Sequence, residues 1–383
     1  MRILHFSSSD GIFGSAQCLK ELLVQEVING HTPIVVTPQK NQINSFCDDN
    51  KIENYYVSYQ QFMIPKHDCF IKFCFKFFLR KAEYHLKISR AIRQVERIVD
   101  LSHIDLIHTN VSVVSIGALV AKKNNIPHVW HIREFGKEDF HFYPIFKNYI
   151  SFMNSSADKF IAISDVVKNT WIAKGLNKEK ISTYYDGVKL ANSRDLANEI
   201  VDNKVKIIMT GALSKTKGQE ILIKAISRME EDIKQSVEVD IYGSGMNGYE
   251  KILQGLIDEN NLNSVVRLKG YSSEIRNQMI SYDIGVVCSA SEGFGRVTVE
   301  YMLSKLVVVA SNSGANPELL HNGEYGLLFR TFDEKDLSLV LVDAISKSKD
   351  REFRERVCKY AENQFVIENN AEKILECFDS LIK

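Results

Sequence analysis

Two facing Rossmann-like α/β domains, each a doubly wound parallel sheet, are predicted by three features of this sequence. Short β-rich runs alternate with amphipathic helical stretches along the chain, the pattern of βαβ units. The rhythm breaks once, in a polar stretch, and then resumes. The length, 383 residues, exceeds that of one ordinary domain.

The elements follow in order. Ile3–Phe6 reads as a strand, Ala16–Asn29 as a helix and Pro33–Thr37 as a strand. Asp105–His108 is a strand, and Val113–Asn124 a helix stopped by Ile126-Pro127. His128–His131 and Phe160–Ile163 are strands, the second leading into a helix capped by Ser164 and Asp165. Ile181–Tyr185 closes the first half. In the second half Val205–Met209, Val237–Tyr242, Val265–Leu268, Ile284–Cys288, Val307–Ala310 and Gly326–Phe329 read as strands with helices between, and helices after Asp333 finish the chain. The seam falls in Ala191–Lys204. The domains predicted are residues 1–190 and 200–365, with a last helix, about 366–383, packing back on the first. Ligands of open α/β sheets sit beyond the carboxyl ends of the strands, so the expected site is a cleft between the domains.

Composition narrows the function. Lys plus Arg and Asp plus Glu number 48 each, so bulk charge offers no argument for a nucleic-acid partner. The seven cysteines are scattered, form no C-x-x-C pair, and read as reduced thiols of a cytoplasmic protein. The start, MRILHFSSSD, looks like a first strand rather than a signal peptide, and no apolar run is long enough to span a membrane. No D-x-D and no cluster of metal-ligand residues occurs, so no metal and no cofactor is expected.

The most informative stretch is Ser289–Glu318. A strand ends at Cys288, Glu292, Gly293, Phe294 and Gly295 form a loop, and a helix starts near Val297. Glycines before a helix let backbone N–H groups approach an anion, and the helix N-terminus adds about half a positive charge. Arg296 follows directly. Glu292 and Glu300 flank this phosphate site, eight residues apart. On one helix they would stand about 12 Å apart. A retaining hydrolase needs about 5–5.5 Å, so they are not a hydrolytic dyad. They suit the two ends of one long ligand, accepting hydrogen bonds from vicinal hydroxyls with a diphosphate between.

Gly211–Gln219, GALSKTKGQ, follows the first strand of the second half and opens a helix. Lys217, beside Gly218 and that helix N-terminus, is placed to neutralise phosphate as a point charge. Ser7–Ala16 plays the same part in the first half, with Gly11 and Gly14 leaving room for a ligand near the backbone. His131 ends a strand in VWHIREF and is a candidate to bond the transferred group, with Arg133 and Glu134 after it on the acceptor side. Gly243–Gly248 is a literal G-x-G-x-x-G, but the acid a dinucleotide fold needs after the next strand is missing; Lys269-Gly270-Tyr271 stands there instead.

The E-G-F-G loop, the spacing from Glu292 to Glu300, the Val-rich strand and S-N-S-G-A-N-P-E resemble the retaining glycosyltransferases of the GT-B fold, family four, over nearly the whole chain. The resemblance implies that Glu292 binds donor sugar hydroxyls and Glu300 the nucleotide ribose. Amides around Phe294 and Gly295 would meet sugar and phosphates. Lys217-Gly218 matches the family's Lys-Gly, but its arginine falls on Ala212, with Arg296 or Lys215 as replacements. The glycine-rich loop that includes Gly14 would lie near the leaving phosphate, the family often has a histidine at the place of His131, and Tyr271 would border the nucleotide. The implied reaction moves a sugar from a nucleotide-diphosphate sugar to a hydroxyl of a glycan or lipid-linked acceptor, in bacterial surface polysaccharide synthesis. The acceptor attacks from the leaving-group face, and the phosphate takes its proton. A sugar-nucleotide 2-epimerase and a non-catalytic nucleotide-sugar-binding protein are the alternatives on the same architecture.

One region stands outside this scheme. Gln61–Asp100 carries nine Lys and Arg against four acids, with aromatics interleaved. Residues 66–97 are therefore expected to make a peripheral contact with anionic lipid, on the inner face of the cell membrane.

Overall fold

A computed structural model describes residues 1–8, 14–65, 70–136, 142–190, 204–245 and 248–382, without the side chains of 64, 65, 70–75 and 142. The chain forms two compact units, Met1–Gly187 with Ile367–Lys383, and Val188–Val366. Part of Ser7–Ala16 (residues 9–13), most of the seam (191–203) and Met246 and Asn247 of the G-x-G-x-x-G lie outside the described residues.

In chain order the first unit holds β1 (Arg2–Phe6), α1 (Gly14–Ile28), β2 (Thr32–Thr37), α2 (Gln42–Asp49), β3 (Glu53–Tyr56), β4 (Met63–Pro65) and α3 (Phe70–Ile98). Then come β5 (Leu106–Thr109), α4 (Ile116–Asn124), β6 (His128–Ile132), β7 (Phe142–Pro144), α5 (Tyr149–Ser156), β8 (Lys159–Ala162), α6 (Asp165–Ala173) and β9 (Ile181–Thr183). Seven parallel strands form its sheet, in the order β3-β2-β1-β5-β6-β8-β9. Strands β3, β4 and β7 were not expected from the sequence. β3 alternates poorly, and β4 and β7 are three-residue pieces that pair only with each other.

Helix starts and stops have local causes. Helix α4 begins at Ile116 rather than Val113, and Asn125 ends it in the left-handed region just before Ile126-Pro127. Ser164 accepts a hydrogen bond from the Val167 amide and caps α6.

The second unit holds β10 (Val205–Thr210), α7 (Gln219–Ser227), α8 (Glu231–Gln235), β11 (Val237–Tyr242), α9 (Tyr249–Glu259), β12 (Val266–Gly270) and α10 (Ile275–Met279). It continues with β13 (Ile284–Val287), α11 (Arg296–Leu303), β14 (Val307–Ser311), α12 (Asn316–Leu319), β15 (Leu327–Phe329), α13 (Glu334–Lys347) and α14 (Arg351–Phe365). Its six parallel strands run β12-β11-β10-β13-β14-β15. The central strands are buried along their length, as helices on both faces require.

The last helix, α15 (Ile367–Ile382), belongs to the first unit. Its buried Ile367, Ala371, Ile374, Leu375 and Phe378 recur at helical spacing. They share one core with Ile3 of β1, Leu106 of β5, Val129 of β6 and Ile161 of β8.

The same sheet buries four histidines: His5, His108, His128 and His131. His128 donates from Nδ1 to the Ser156 carbonyl (2.9 Å), and its Nε2 accepts from the Thr109 hydroxyl (2.9 Å). Burial pushes the His128 ring down to about 4, against the pull of the Ser156 carbonyl and Asp158. Burial first, then neighbouring cationic groups, holds His108 and His131 well below the usual range. These rings are neutral in the folded chain, while the unfolded chain protonates them near pH 6.5. Below that pH the unfolded state binds more protons, so the contribution of these three rings is complete above about 6.5 and falls as pH drops toward 4. His128 alone should remove on the order of 3 kcal/mol by pH 4. Urea midpoints measured from pH 8 to pH 4.5 should fall steadily below 6.5; a flat profile would contradict neutral burial.

Candidate functional site

Strand order locates the centre of the second unit. From β10 the chain winds outward through β11 and β12, then returns to place β13 on the other side of β10. The switch point is therefore β10–β13, where ligands of open α/β sheets bind. The loops leaving these two strands are 211–218 and 288–295, the stretches that carry Lys217 and Glu292.

Backbone bonds tie the two loops together. The Ala290 amide donates to the Thr216 carbonyl at 2.9 Å. Gly218, left-handed at φ 76°, lies so close to Cys288 that a Cβ would fall 2.5 Å from the Cys288 carbonyl oxygen. Only glycine fits both conditions. Gln219, fully buried, pins the first loop from below: its side chain accepts from the Ser214 amide (3.3 Å) and donates to the Ala212 carbonyl (3.0 Å). Lys217 Nζ then stands 2.6 Å from Glu292 Oε1.

Glu292 is supported from the other side by the loop after β14. The Ala315 amide donates to the Glu292 carbonyl at 2.9 Å. A Cβ on Gly314 would fall 2.5 Å from the Glu292 backbone, so that loop can lie against Glu292 only with glycine there. Ser311 and Ser313 donate to the Ser289 carbonyl at 2.6 and 3.1 Å. Asn316 donates to the Ser311 carbonyl and accepts from Thr298 of α11 (2.8 Å). The S-N-S-G-A-N segment is thus the brace beneath the glutamate loop, a role its sequence does not announce.

Gly295, at φ 85°, caps α11, and Arg296 begins it. Phe294 is buried, with its ring edge-on to Phe365 at 6.1 Å. It holds the loop down. One turn into α11, Glu300 Oε1 accepts from Arg296 Nε (3.2 Å) and from Arg276 Nη2 (2.9 Å). Arg276, on α10, was missed by the sequence reading. It lies 24 residues before Glu300 with no motif around it, and only the fold brings it there. Three cations against two acids, beside a helix N-terminus, make a site that suits an anion. Ala212 and Lys215, in the first loop, are both exposed. Tyr271, just beyond β12, is 78% exposed.

The remaining predicted residues lie in the first unit, whose switch point is β1–β5. Gly14 opens α1 and is exposed, with open space around it. His131 is completely buried on β6. Arg133 and Glu134 are buried as well. Arg133 bonds the Asp186 carboxylate, and its Nε donates to the carbonyl and side chain of Asn110 (3.0 and 3.1 Å). Glu134 accepts from the amide and hydroxyl of Ser112 (2.9 and 2.6 Å) and from the Arg133 amide (3.0 Å). These two residues lock the loop after β6 to the loop after β5.

Among the described residues no group of three or more His, Cys, Asp or Glu is arranged to hold a metal, and no helix is long and apolar enough to cross a membrane. Cys18, Cys47, Cys288, Cys358 and Cys377 are buried and in no disulfide; the side chains of Cys69 and Cys74 lie outside the described set.

Comparison with known proteins agrees with this geometry. Residues 14–192 match the model of Glycosyltransferase Family 4, and residues 194–364 match that of Glycosyl transferases group 1. An uncharacterized glycosyltransferase of Methanocaldococcus jannaschii is 29% identical over 282 residues, covering 69% of this chain and 74% of the relative. The Campylobacter jejuni N-acetylgalactosamine-N,N'-diacetylbacillosaminyl-diphospho-undecaprenol 4-alpha-N-acetylgalactosaminyltransferase is 30% identical over 178 residues, 46% of each chain. Among solved structures, Anabaena HepE in complex with UDP superposes with a TM-score of 0.80 at 21% identity, over 100% of both chains. With UDP-glucose bound, HepE superposes at 0.78 and 22% identity, again over both whole chains. The lipopolysaccharide outer core galactosyltransferase WaaB matches at 0.71 and 16%, over 99% of each chain. With both family models matched in turn along the chain, and with two parallel α/β sheets of the GT-B type, this protein belongs to glycosyltransferase family 4 and is a nucleotide-sugar-dependent glycosyltransferase of that retaining family.

Proposed function

We propose that the donor is a uridine-diphosphate sugar and that the acceptor is a hydroxyl of a glycan or lipid-linked glycan, in the assembly of a bacterial surface polysaccharide. The observation that carries the donor half is the Lys217–Glu292 pair at the β10–β13 switch point, with Glu300 following one turn into α11, held by its two arginines. HepE supports uridine as the base, since it was solved with UDP and with UDP-glucose. The Campylobacter relative, named for a diphospho-undecaprenol acceptor, supports the lipid-linked class.

In this reading the diphosphate displaces Lys217 from Glu292. The pair is partly exposed, and an ion pair of that kind is worth under about 1 kcal/mol, so a ligand with its own charges outcompetes it. Lys217, amides at Gly218, Phe294 and Gly295, and the α11 N-terminus then carry the leaving group's charge. Glu292, freed, accepts from sugar hydroxyls. Glu300, oriented by Arg276 and Arg296, accepts from the ribose, and Tyr271 borders the base. Arg296 serves as orienting partner of Glu300, so the diphosphate charge rests mainly on Lys217. The first unit contributes His131 to the transferred sugar and Gly14 near the leaving phosphate. Arg133 and Glu134 shape the acceptor side through the loops they lock.

Thermal-shift screening with UDP, ADP and GDP should single out UDP. No stabilisation by any of the three would remove the donor assignment. With the donor known, Glu292→Ala should cost roughly 10–100-fold or more in turnover, the worth of a charged hydrogen bond, while the folded content by circular dichroism is unchanged. Transfer at the wild-type rate would defeat the role given to Glu292.

Peripheral membrane contact rests on α3. Its inner face buries Tyr84, Ile88, Ala91 and Val95, while Phe78, Leu79 and Leu86 are exposed among Lys76, Arg80, Lys81, Arg90 and Arg93. Lys66 lies outside the described residues, as does the side chain of Lys72. Neutralising Lys72, Lys76, Arg80 and Lys81 together should abolish sedimentation with phosphatidylglycerol vesicles; unchanged sedimentation would dismiss the contact.

A further inference from the structure

Beneath α15, four fully buried side chains form one hydrogen-bonded row across the first sheet. Glu26 Oε2 of α1 lies 2.9 Å from His5 Nε2 of β1. His5 Nδ1 lies 2.9 Å from His108 Nδ1 of β5. His108 Nε2 lies 3.2 Å from His131 Nδ1 of β6. Register makes the row possible. His5 and His108 are direct neighbours, His108 pairs with Val129, and His131, two residues on, returns to the same face. Phe378 closes the row, its ring centroid 5.5 Å from that of His108. At the far end His131 Nε2 is buried without a hydrogen-bond partner among the described residues.

Each nitrogen–nitrogen contact holds one proton, and with the buried His108 ring neutral, carrying one proton, the row has two polarities. In the inward one, each ring carries one proton. His5 donates to Glu26, His108 donates from Nδ1 to His5, and His131 donates from Nδ1 to His108, leaving His131 Nε2 a bare lone pair. In the outward one the row holds one proton more. The Glu26–His5 pair keeps it, so His5 donates both ways, and His108 accepts at Nδ1 and donates from Nε2. His131 accepts at Nδ1 and carries its proton on Nε2.

Three observations favour the outward polarity. First, a carboxylate buried with a neutral neighbour is uncompensated, whereas carboxylate and imidazolium neutralise each other. Second, Arg133 Nη2, which can only donate, lies 3.4 Å from His131 Nδ1; a protonated Nδ1 would face it N–H to N–H, whereas a bare Nδ1 shares its one lone pair between His108 and Arg133. Third, the Asp186 carboxylate lies 4.0 Å from His131 Nε2, where a proton is attracted and a lone pair repelled. The other ionisable groups coupled to these residues are His128, which acts on His108, and Cys18 and Glu134, which act on Arg133.

We propose that Glu26, His5 and His108 are positioning residues whose outward-running proton row holds His131 as a hydrogen-bond donor through Nε2, aimed at an oxygen acceptor on a bound ligand. The proposal deepens the role given above to His131 and rests on it for the ligand. The protonation pattern itself needs no ligand, so its test is separable. Ring-nitrogen NMR of the full-length protein, labelled at histidine and assigned with single-histidine variants, reads it directly. The expected spectrum has both His5 nitrogens protonated, and His108 and His131 neutral with the proton on Nε2. A His131 proton on Nδ1, or a His5 ring protonated on Nε2 alone, overturns the proposal from the wild-type spectrum, whatever the behaviour of a variant. In Glu26→Gln the extra proton has no anion to hold it. His5 becomes neutral and the single His131 tautomer becomes a mixture. An unchanged His131 signal there shows that Arg133 and Asp186 set the ring alone, and the relay fails. Loss of UDP binding with the expected spectrum intact would count against the donor assignment and leave the relay standing.

Discussion

The backbone contact between the loops after β10 and β13 is the constraint on which the donor-side arrangement depends. One hydrogen bond, Ala290 to Thr216, and one glycine, Gly218, packed against Cys288, bring residues 75 positions apart within 2.6 Å of each other. Remove either and Lys217 and Glu292 become two exposed side chains on separate loops. The contact exists because the sheet order reverses there, leaving no helix crossing between the two strand ends.

What the contact secures is geometry rather than stability. An exposed lysine–glutamate pair contributes little free energy, because water screens it and two long side chains lose freedom. Its value lies in holding a cation and an acid at one point before any ligand arrives. The brace of Ser311, Ser313 and Asn316 has the same purpose and sits where it can be rigid, with Ser311 and Asn316 fully buried between β14 and α11 and Ser313 half-buried. Glu300 is treated alike, oriented by two guanidinium groups on one carboxylate oxygen. Preorganised charge of this sort is what leaving-group stabilisation requires.

The first unit uses buried polarity in a different way. Its switch-point strands carry His5 and His108 fully buried, and the cost of burying them is met by a continuous row of hydrogen-bond partners. Arg133 and Glu134, read from the sequence as residues facing an acceptor, turn out to be locked between loops. A charged residue directly after a strand looks the same in sequence whether it points at a ligand or back at the next loop. The partners in the folded chain separate the two: Arg133 and Glu134 have theirs in neighbouring loops, whereas His131 Nε2 has none among the described residues.

Much was legible in the order of the residues alone. Alternation of β-branched runs with helical periodicity is a local property, so the two parallel sheets, the glycine loops before α7 and α11, and the family could be read from one line of text. Strands β3, β4 and β7 escaped, because Glu53–Tyr56 has no clear alternation and β4 and β7 are held by pairing with each other, outside the two parallel sheets. Arg276, the serine–asparagine brace and the histidine row escaped for another reason. Each is a contact between elements far apart in the chain, fixed by strand order and register, and no spacing in the sequence encodes it. Residue order alone places particular chemical groups at the ends of particular strands. Tertiary structure decided which of those groups face one another, because hydrogen bonds and ion pairs act over a few ångströms and only the folded sheet brings their partners that close.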